Sequence, residues 1–219
     1  MRAFLADKTA CASLRNEQNK INDPSANHPD GRPGSRIFAI ESKWTKRRGY
    51  SYRMILIALG SNLSSPAGTS GETLTAALKV MRADGIAPLK VSPFVMSEAW
   101  PDPNAPPFVN AVASVQTAFS PRELLDRLHV IEQSFGRVRR TPNAPRTLDL
   151  DLLDYEGRVV RGCLELPHPR LHERPFVLVP LSMIAPDWHH PISGAPVEEL
   201  IAQLPAKGTG VRILAASQP

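Results

Sequence analysis

Cysteine is nearly absent from this 219-residue chain, which holds only Cys11 and Cys163. The pair matches no metal-ligand spacing and supplies no disulfide framework, which sets aside a zinc ribbon or a stapled module and suits a reducing cytoplasm. No apolar run approaches the roughly 20 residues that cross a bilayer, so no membrane association is expected. There is no internal repeat, and no Gly-x-x-x-x-Gly-Lys loop of the kind that cradles phosphates on backbone amides. Excess positive charge is missing from most of the chain. Residues 1–53 hold 11 Lys or Arg against 5 Asp or Glu, whereas residues 54–219 hold 15 against 16. A near-neutral body argues against a surface that tracks nucleic acid along its phosphates.

The first 53 residues also lack anything to bury. From Asn16 to Arg36 the composition is Asn, Asp, Pro, Ser and Gly, and Lys43 to Arg48 is a basic patch around Trp44. They carry no apolar core of a secretory signal. This stretch is expected to be a disordered basic leader, with the functional chain starting at Met54.

From Met54 the elements are legible. Met54–Leu59 is a short apolar strand ended by Gly60-Ser-Asn62. Thr69-x-x-Glu72 is a capping box, and Leu74, Ala77, Leu78 and Met81 follow at helical spacing until Gly85. Ala87–Met96 is a second strand, placed at an edge by Pro88 and Pro93. Ser97–Pro107 is a proline-rich loop. Phe108–Thr117 is a third strand with Val109, Ala111, Ala113 and Val115 on one face. Ser120-Pro-Arg-Glu123 opens a second helix lined by Leu124, Leu128, Ile131 and Phe135. Thr147–Tyr155 is the fourth strand. The order β-α-β-β-α-β predicts an α+β, ferredoxin-like sheet with two covering helices. Pro175–Ile184 and Val197–Leu204 add C-terminal helical segments.

What the body does possess is concentrated in Pro145-Arg-Thr-Leu-Asp-Leu-Asp-Leu-Leu153. As a strand, these residues place Leu148, Leu150 and Leu152 on one face and Asp149 and Asp151 on the other. The two carboxylates then lie roughly 7 Å apart at their Cα atoms. At an effective dielectric near 20 and a charge separation near 6 Å they repel by about 3 kcal/mol. A solvated face is the bland explanation. A divalent cation is the sharper one, since hard oxygen ligands suit Mg²⁺. Upstream, Arg137, Arg139, Arg140 and Arg146 put four guanidinium groups within ten positions. Aspartates for a metal beside arginines for anions describe a site for a metal-bound polyphosphate.

Taken in order, Gly60-Ser-Asn-Leu63, Phe135-Gly-Arg-Val-Arg139, Pro145–Leu153, Leu166-Pro-His-Pro-Arg170, Arg174 and Phe176-Val-Leu178 resemble the hydroxymethyldihydropterin pyrophosphokinases of folate biosynthesis. The resemblance runs from Met54 to about Leu204 and implies a single pyrophosphokinase domain over residues 54–219. It implies a monomeric cytoplasmic enzyme that moves diphosphate from ATP to the hydroxymethyl group of a reduced pterin and releases AMP. Two Mg²⁺ ions would be held by Asp149 and Asp151. Arg137, Arg139 and Arg146 would join the aspartates in catalysis. Glu132, Arg139, Arg146, His168 and Arg174 would bind ATP, and Phe108, Asn110, Phe176 and Trp100 the pterin. Three departures stand out: the segment Thr141-Pro-Asn-Ala-Pro145 in place of a longer loop with an Arg-Trp pair, Glu98 and Trp100 where Thr-Pro and an aliphatic residue are usual, and Phe108 in place of tyrosine. Two alternatives remain at this stage. One is a ferredoxin-like RNA-binding module, although the third strand lacks its base-stacking aromatics. The other is a metal-dependent nucleotidyltransferase.

Overall fold

The computed structural model describes residues 54–99, 104–137, 145–205 and 210–214. The leader, Trp100, Arg139 and Arg140 lie outside the described residues. Strands β1 (Ile55–Ser61), β2 (Ala87–Val91), β3 (Val95–Ser97), β4 (Phe108–Gln116), β5 (Asp149–Tyr155) and β6 (Val211–Ile213) alternate with helices α1 (Ser70–Ala83), α2 (Pro121–Ser134), α3 (Pro175–Ile184) and α4 (Val197–Ala202). The sheet runs β5-β1-β4-β3-β6, with β2 also paired to β4, and every pairing is antiparallel. This is the ferredoxin-like order with a split second strand and an added edge strand. The expected single strand Ala87–Met96 is divided because Ser92 and Pro93 break the ladder: the Ser92 hydroxyl instead accepts the Val112 amide at 3.0 Å. β6, which was not anticipated, pairs with β3 through Ile213, Arg212 and Val211.

Both covering helices start as their sequences dictate. Thr69 and Glu72 form a reciprocal capping box at α1, and Ser120 and Glu123 do the same at α2, where Pro121 sits at the first turn. Leu74, Ala77 and Met81 of α1 and Leu124, Leu128 and Ile131 of α2 are buried against one sheet face. That face carries Ile55, Ile57 and Leu59 of β1, Val109, Ala111, Ala113 and Val115 of β4, and Leu150 and Leu152 of β5. The other face is shared. Leu56, Val112 and Leu153 pack against Val177, Leu178 and Leu181 of α3, Trp188, and Val197 and Leu200 of α4. The C-terminal segments cover only part of that face.

The side chains of β1 on this second face shrink from Leu56 through Ala58 to Gly60. Leu56 is core, Ala58 is half-buried, and Gly60 adds no side chain at all. A packed layer at one end of the strand therefore opens into a cavity at the other. β5 keeps two registers at once. Leu152 is opposite Ile57, but Asp154 is opposite Leu56, so Leu153 is a bulged residue. Beyond the bulge Asp154 turns to the C-terminal layer, where it accepts the Trp188 indole N–H at 2.9 Å, and Tyr155 joins the helical core.

Candidate active site

Gly60 is the pivot of the open end. In the ladder it stands opposite Asp149 on one side and Asn110 on the other, while Ala58 stands opposite Asp151 and Val112. A Cβ on Gly60 would lie 3.1 Å from Asn110 Oδ1 and 3.8 Å from Asp149 Cβ. The missing side chain thus leaves room between a carboxylate and an amide on adjacent strands. The resulting cavity, about 220 Å³, is lined by Phe108, Asn110, Arg146, Asp149, Asp151, Arg174 and Phe176, with Ser97 and Glu98 at the β3 side. Seven side chains singled out in the sequence for three different roles meet here.

Both aspartates are engaged by guanidinium groups. Arg146 Nη1 lies 2.7 Å from Asp149 Oδ2, and Arg137 pairs with Asp149 Oδ1. Arg174 Nη1 lies 3.1 Å from Asp151 Oδ2, and its guanidinium sits 5.8 Å from the centre of the Phe176 ring. Arg137 also pairs with Glu132, whose Oε1 accepts the Leu150 amide at 2.8 Å. Three carboxylates and three guanidinium groups therefore form one nearly self-neutralising cluster. Burial and the charge of Asp151 push the Asp149 carboxyl above its ordinary range, against the pull of Arg146 and Arg137. Burial acts in the same sense on Asp151, but nearby His168 and Arg174 outweigh it and hold that carboxyl low. Asp151 is the more acidic member of the pair.

A fixed amide edge also faces the cavity. Asn110 is 5% exposed, and its amide nitrogen donates to Ser97 Oγ at 3.0 Å. That bond fixes the amide plane and turns Oδ1 toward the space above Gly60. Phe108 and Phe176 contribute apolar surface on the same cavity.

Two expected nucleotide contacts, Glu132 and His168, do not line this cavity. Glu132 is 1% exposed and bonded to Arg137 and the Leu150 amide, so its place is that of a support for Arg137 and for the start of β5. Burial is the reason: α2 packs its side chain against the strand. His168 lies within electrostatic reach of Asp151, but its ring lines a different cleft of about 470 Å³, shared with His172 and His190. Burial pushes the His168 imidazole below its usual range. Sequence reasoning gives Asn62, Gly60 and Ser97 no role at the site; the signal for the first two is their place in Gly60-Ser-Asn-Leu63, a turn after a strand that also carries the resemblance.

The donor set suits Mg²⁺. Two carboxylates project from alternate positions of one strand into an open cavity, and among the described residues no third His, Cys, Asp or Glu completes a protein cage. Mg²⁺ ordinarily takes one or two carboxylates and completes its shell with water and substrate phosphates. Among the described residues no helix is long and apolar enough to cross a membrane.

Comparisons with known proteins point to one family. A family model described as 7,8-dihydro-6-hydroxymethylpterin-pyrophosphokinase (HPPK) matches residues 56–186, more than half of the chain. The 2-amino-4-hydroxy-6-hydroxymethyldihydropteridine pyrophosphokinase of Synechocystis sp. is 45% identical over 121 residues, which are 55% of this chain and 62% of that protein. The protein of the same name from Haemophilus influenzae is 42% identical over 149 residues, which are 67% of this chain and 90% of that one. The chain thus spans less than two thirds of the first relative and most of the second. The crystal structure of Plasmodium falciparum HPPK-DHPS is similar in fold, with a TM-score of 0.53 at 11% identity, over 68% of this chain and 44% of that chain.

Proposed function

Since the chain belongs to the 7,8-dihydro-6-hydroxymethylpterin pyrophosphokinase family, we propose that it transfers diphosphate from ATP to the hydroxymethyl oxygen of 6-hydroxymethyl-7,8-dihydropterin, with release of AMP. The reaction serves folate biosynthesis in the cytoplasm, where ATP is at hand. The observation that carries this reading is the convergence of Asp149, Asp151, Arg146, Arg174, Phe108, Phe176 and Asn110 on one cavity.

The cavity is smaller than the ~300–1,000 Å³ typical of sites for drug-sized ligands. It fits a bicyclic ring, leaving the triphosphate to lie along the arginine side. Phe108 and Phe176 supply apolar contact for the ring, and Asn110 Oδ1 accepts from an N–H on its edge. Asp149 and Asp151 would hold Mg²⁺, with the family resemblance implying two ions. When bound, Mg²⁺ supplies charge neutralisation at the triphosphate. Arg146 and Arg174 stand beside these carboxylates, where their guanidinium groups would face phosphate oxygens, and Glu132 holds Arg137 in the same row. Guanidinium groups match such oxygens in bidentate geometry. Displacement at phosphorus asks for in-line positioning and charge stabilisation more than for covalent help, and this set of residues offers both. Arg139 and His168 are proposed to add phosphate contacts, and Trp100 to close over the pterin. The protein is proposed to act as a monomer: the most exposed apolar side chains among the described residues, Leu89, Val130 and Ile213, sit on three separate elements.

The test is to incubate the protein with ATP, Mg²⁺ and hydroxymethyldihydropterin and to follow nucleotide products by chromatography. AMP that forms only when all three are present supports the proposal, and chelation should abolish it. Inorganic pyrophosphate in place of AMP would mean nucleotidyl transfer. Absence of both products and of ATP and pterin binding would overturn the reading.

A further inference from the structure

We propose that Asn62 is a positioning residue that locks the entrances of β4 and β5 together, setting Arg146 through one arm of its amide and the pterin wall through the other. The inference rests on the reading of the site given above.

β1 is the central strand and runs antiparallel to both neighbours. Its exit therefore lies between the entrances of β4 and β5. Asn62, just past that exit, is 4% exposed despite its polar side chain. Its Oδ1 accepts the Arg146 amide at 2.8 Å, and its Nδ2 donates to the Pro106 carbonyl at 3.1 Å. The backbone reinforces the first contact: the amides of Asn62 and Leu63 both donate to the Arg146 carbonyl, at 3.1 and 3.3 Å. Pro106 is two residues before Phe108, and Arg146 is three before Asp149. One planar amide thus spans the roots of the two strands that carry the pterin wall and the metal ligand.

The chemistry narrows the residue type. The position needs one acceptor and one donor on a short, rigid stem, facing opposite ways. Aspartate keeps the acceptor and loses the donor, and alanine loses both. Arg146 gains most from the acceptor, because β5 begins only at Asp149 and, while the Asn62 and Leu63 amides hold its carbonyl, its own amide is bonded to Asn62 Oδ1. A shift of about 1 Å in a group that contacts the reacting phosphates costs about 10²-fold in rate. The donor arm acts on substrate binding instead, since Pro106 leads into Phe108.

The experiment compares Asn62→Asp, Asn62→Ala, Arg146→Ala and the Asn62→Ala/Arg146→Ala double variant by steady-state kinetics, with amide hydrogen exchange at Arg146. Asn62→Ala should lower kcat by about 10²-fold. In the Arg146→Ala background the same change should lower kcat by no more than about threefold, because effects through a shared group do not add. Asn62→Asp should keep most of kcat and raise the KM for pterin by about tenfold. Equal losses of kcat from Asn62→Ala in the two backgrounds would mark a general loss of structure and overturn the proposal. So would an Asn62→Asp variant with the full kcat loss of alanine. If Asn62→Ala does not fold, Asn62→Asp alone decides by its split between kcat and KM. The exchange measurement stands apart from activity: the Arg146 amide should lose protection in Asn62→Ala while the β5 amides keep theirs. Unchanged protection at Arg146 sinks this inference, whereas wild-type protein that makes no AMP sinks the proposed reaction.

Discussion

Asp154 offers the sharpest test of the packing, because its carboxyl is 2% exposed and forms no ion pair among the described residues. Its oxygens accept from the Trp188 indole at 2.9 Å and from the Gly157 amide at 2.9 Å. Those bonds favour the ionised form, but burial outweighs them and lifts the pKa from 3.8 to about 6. At about 1.36 kcal/mol per unit, the rise corresponds to roughly 3 kcal/mol. Between pH 4 and 6, roughly, the folded protein retains a proton that the unfolded chain has released, so stability falls as pH rises through this window. Above about pH 6 the penalty is complete, and below about pH 4 it vanishes. Asp154→Asn removes the titration. Urea unfolding of both proteins at matched ionic strength should show the stability of wild type relative to the variant dropping by about 3 kcal/mol from about pH 4 to about pH 7. Any constant cost of the amide at that position cancels in this comparison. Two stability curves that run parallel across the window would refute the assignment of a raised carboxyl to Asp154.

Three further outcomes follow from the site. Asp149→Ala and Asp151→Ala should keep a native far-UV circular dichroism spectrum yet lose about 10³-fold or more of the AMP-forming rate, and wild-type turnover in either would remove the metal pair from the mechanism. Gly60→Ala places a methyl group 3.1 Å from Asn110 Oδ1, so pterin affinity measured by titration calorimetry should weaken about tenfold or more while ATP affinity holds. The Thr147 hydroxyl is buried without a partner among the described residues. Replacing it by valine should therefore raise stability by about 1 kcal/mol in chemical denaturation, and a loss of that size would show that the hydroxyl is satisfied after all.

How far the chain could be read depended on the range of the interactions involved. Asp149 and Asp151 were legible because alternation within one strand is a local property, and the capping boxes at Thr69 and Ser120 were legible for the same reason. The order of four main strands followed from the alternation of hydrophobic periods. β6 was not anticipated, since three residues carry too little pattern and the strand exists through pairing with Val95–Ser97. The break at Ser92 depended on a hydroxyl that serves a strand 20 residues away. Glu132 entered through the resemblance, and its burial rests on bonds to Arg137 and the Leu150 amide that no helical periodicity shows. Asn62 meets Arg146 across 84 positions of sequence, a distance at which no periodicity speaks.

The bulge at Leu153 separates β5 into two reading frames. Upstream of it, odd positions serve chemistry at Asp149 and Asp151. Downstream, the phase slips by one, and Asp154 and Tyr155 serve the two packed layers. A strand without that slip would have to satisfy both demands in a single phase, and any compromise in the C-terminal layer would be transmitted to the aspartates. With the slip, the segment after Tyr155 can accept insertions or repacking as mechanical slack, while the half of the strand that faces the cavity stays indexed to β1. The spacing of the two carboxylates is thereby set by pairing with β1, apart from the layer that holds Asp154 and Trp188.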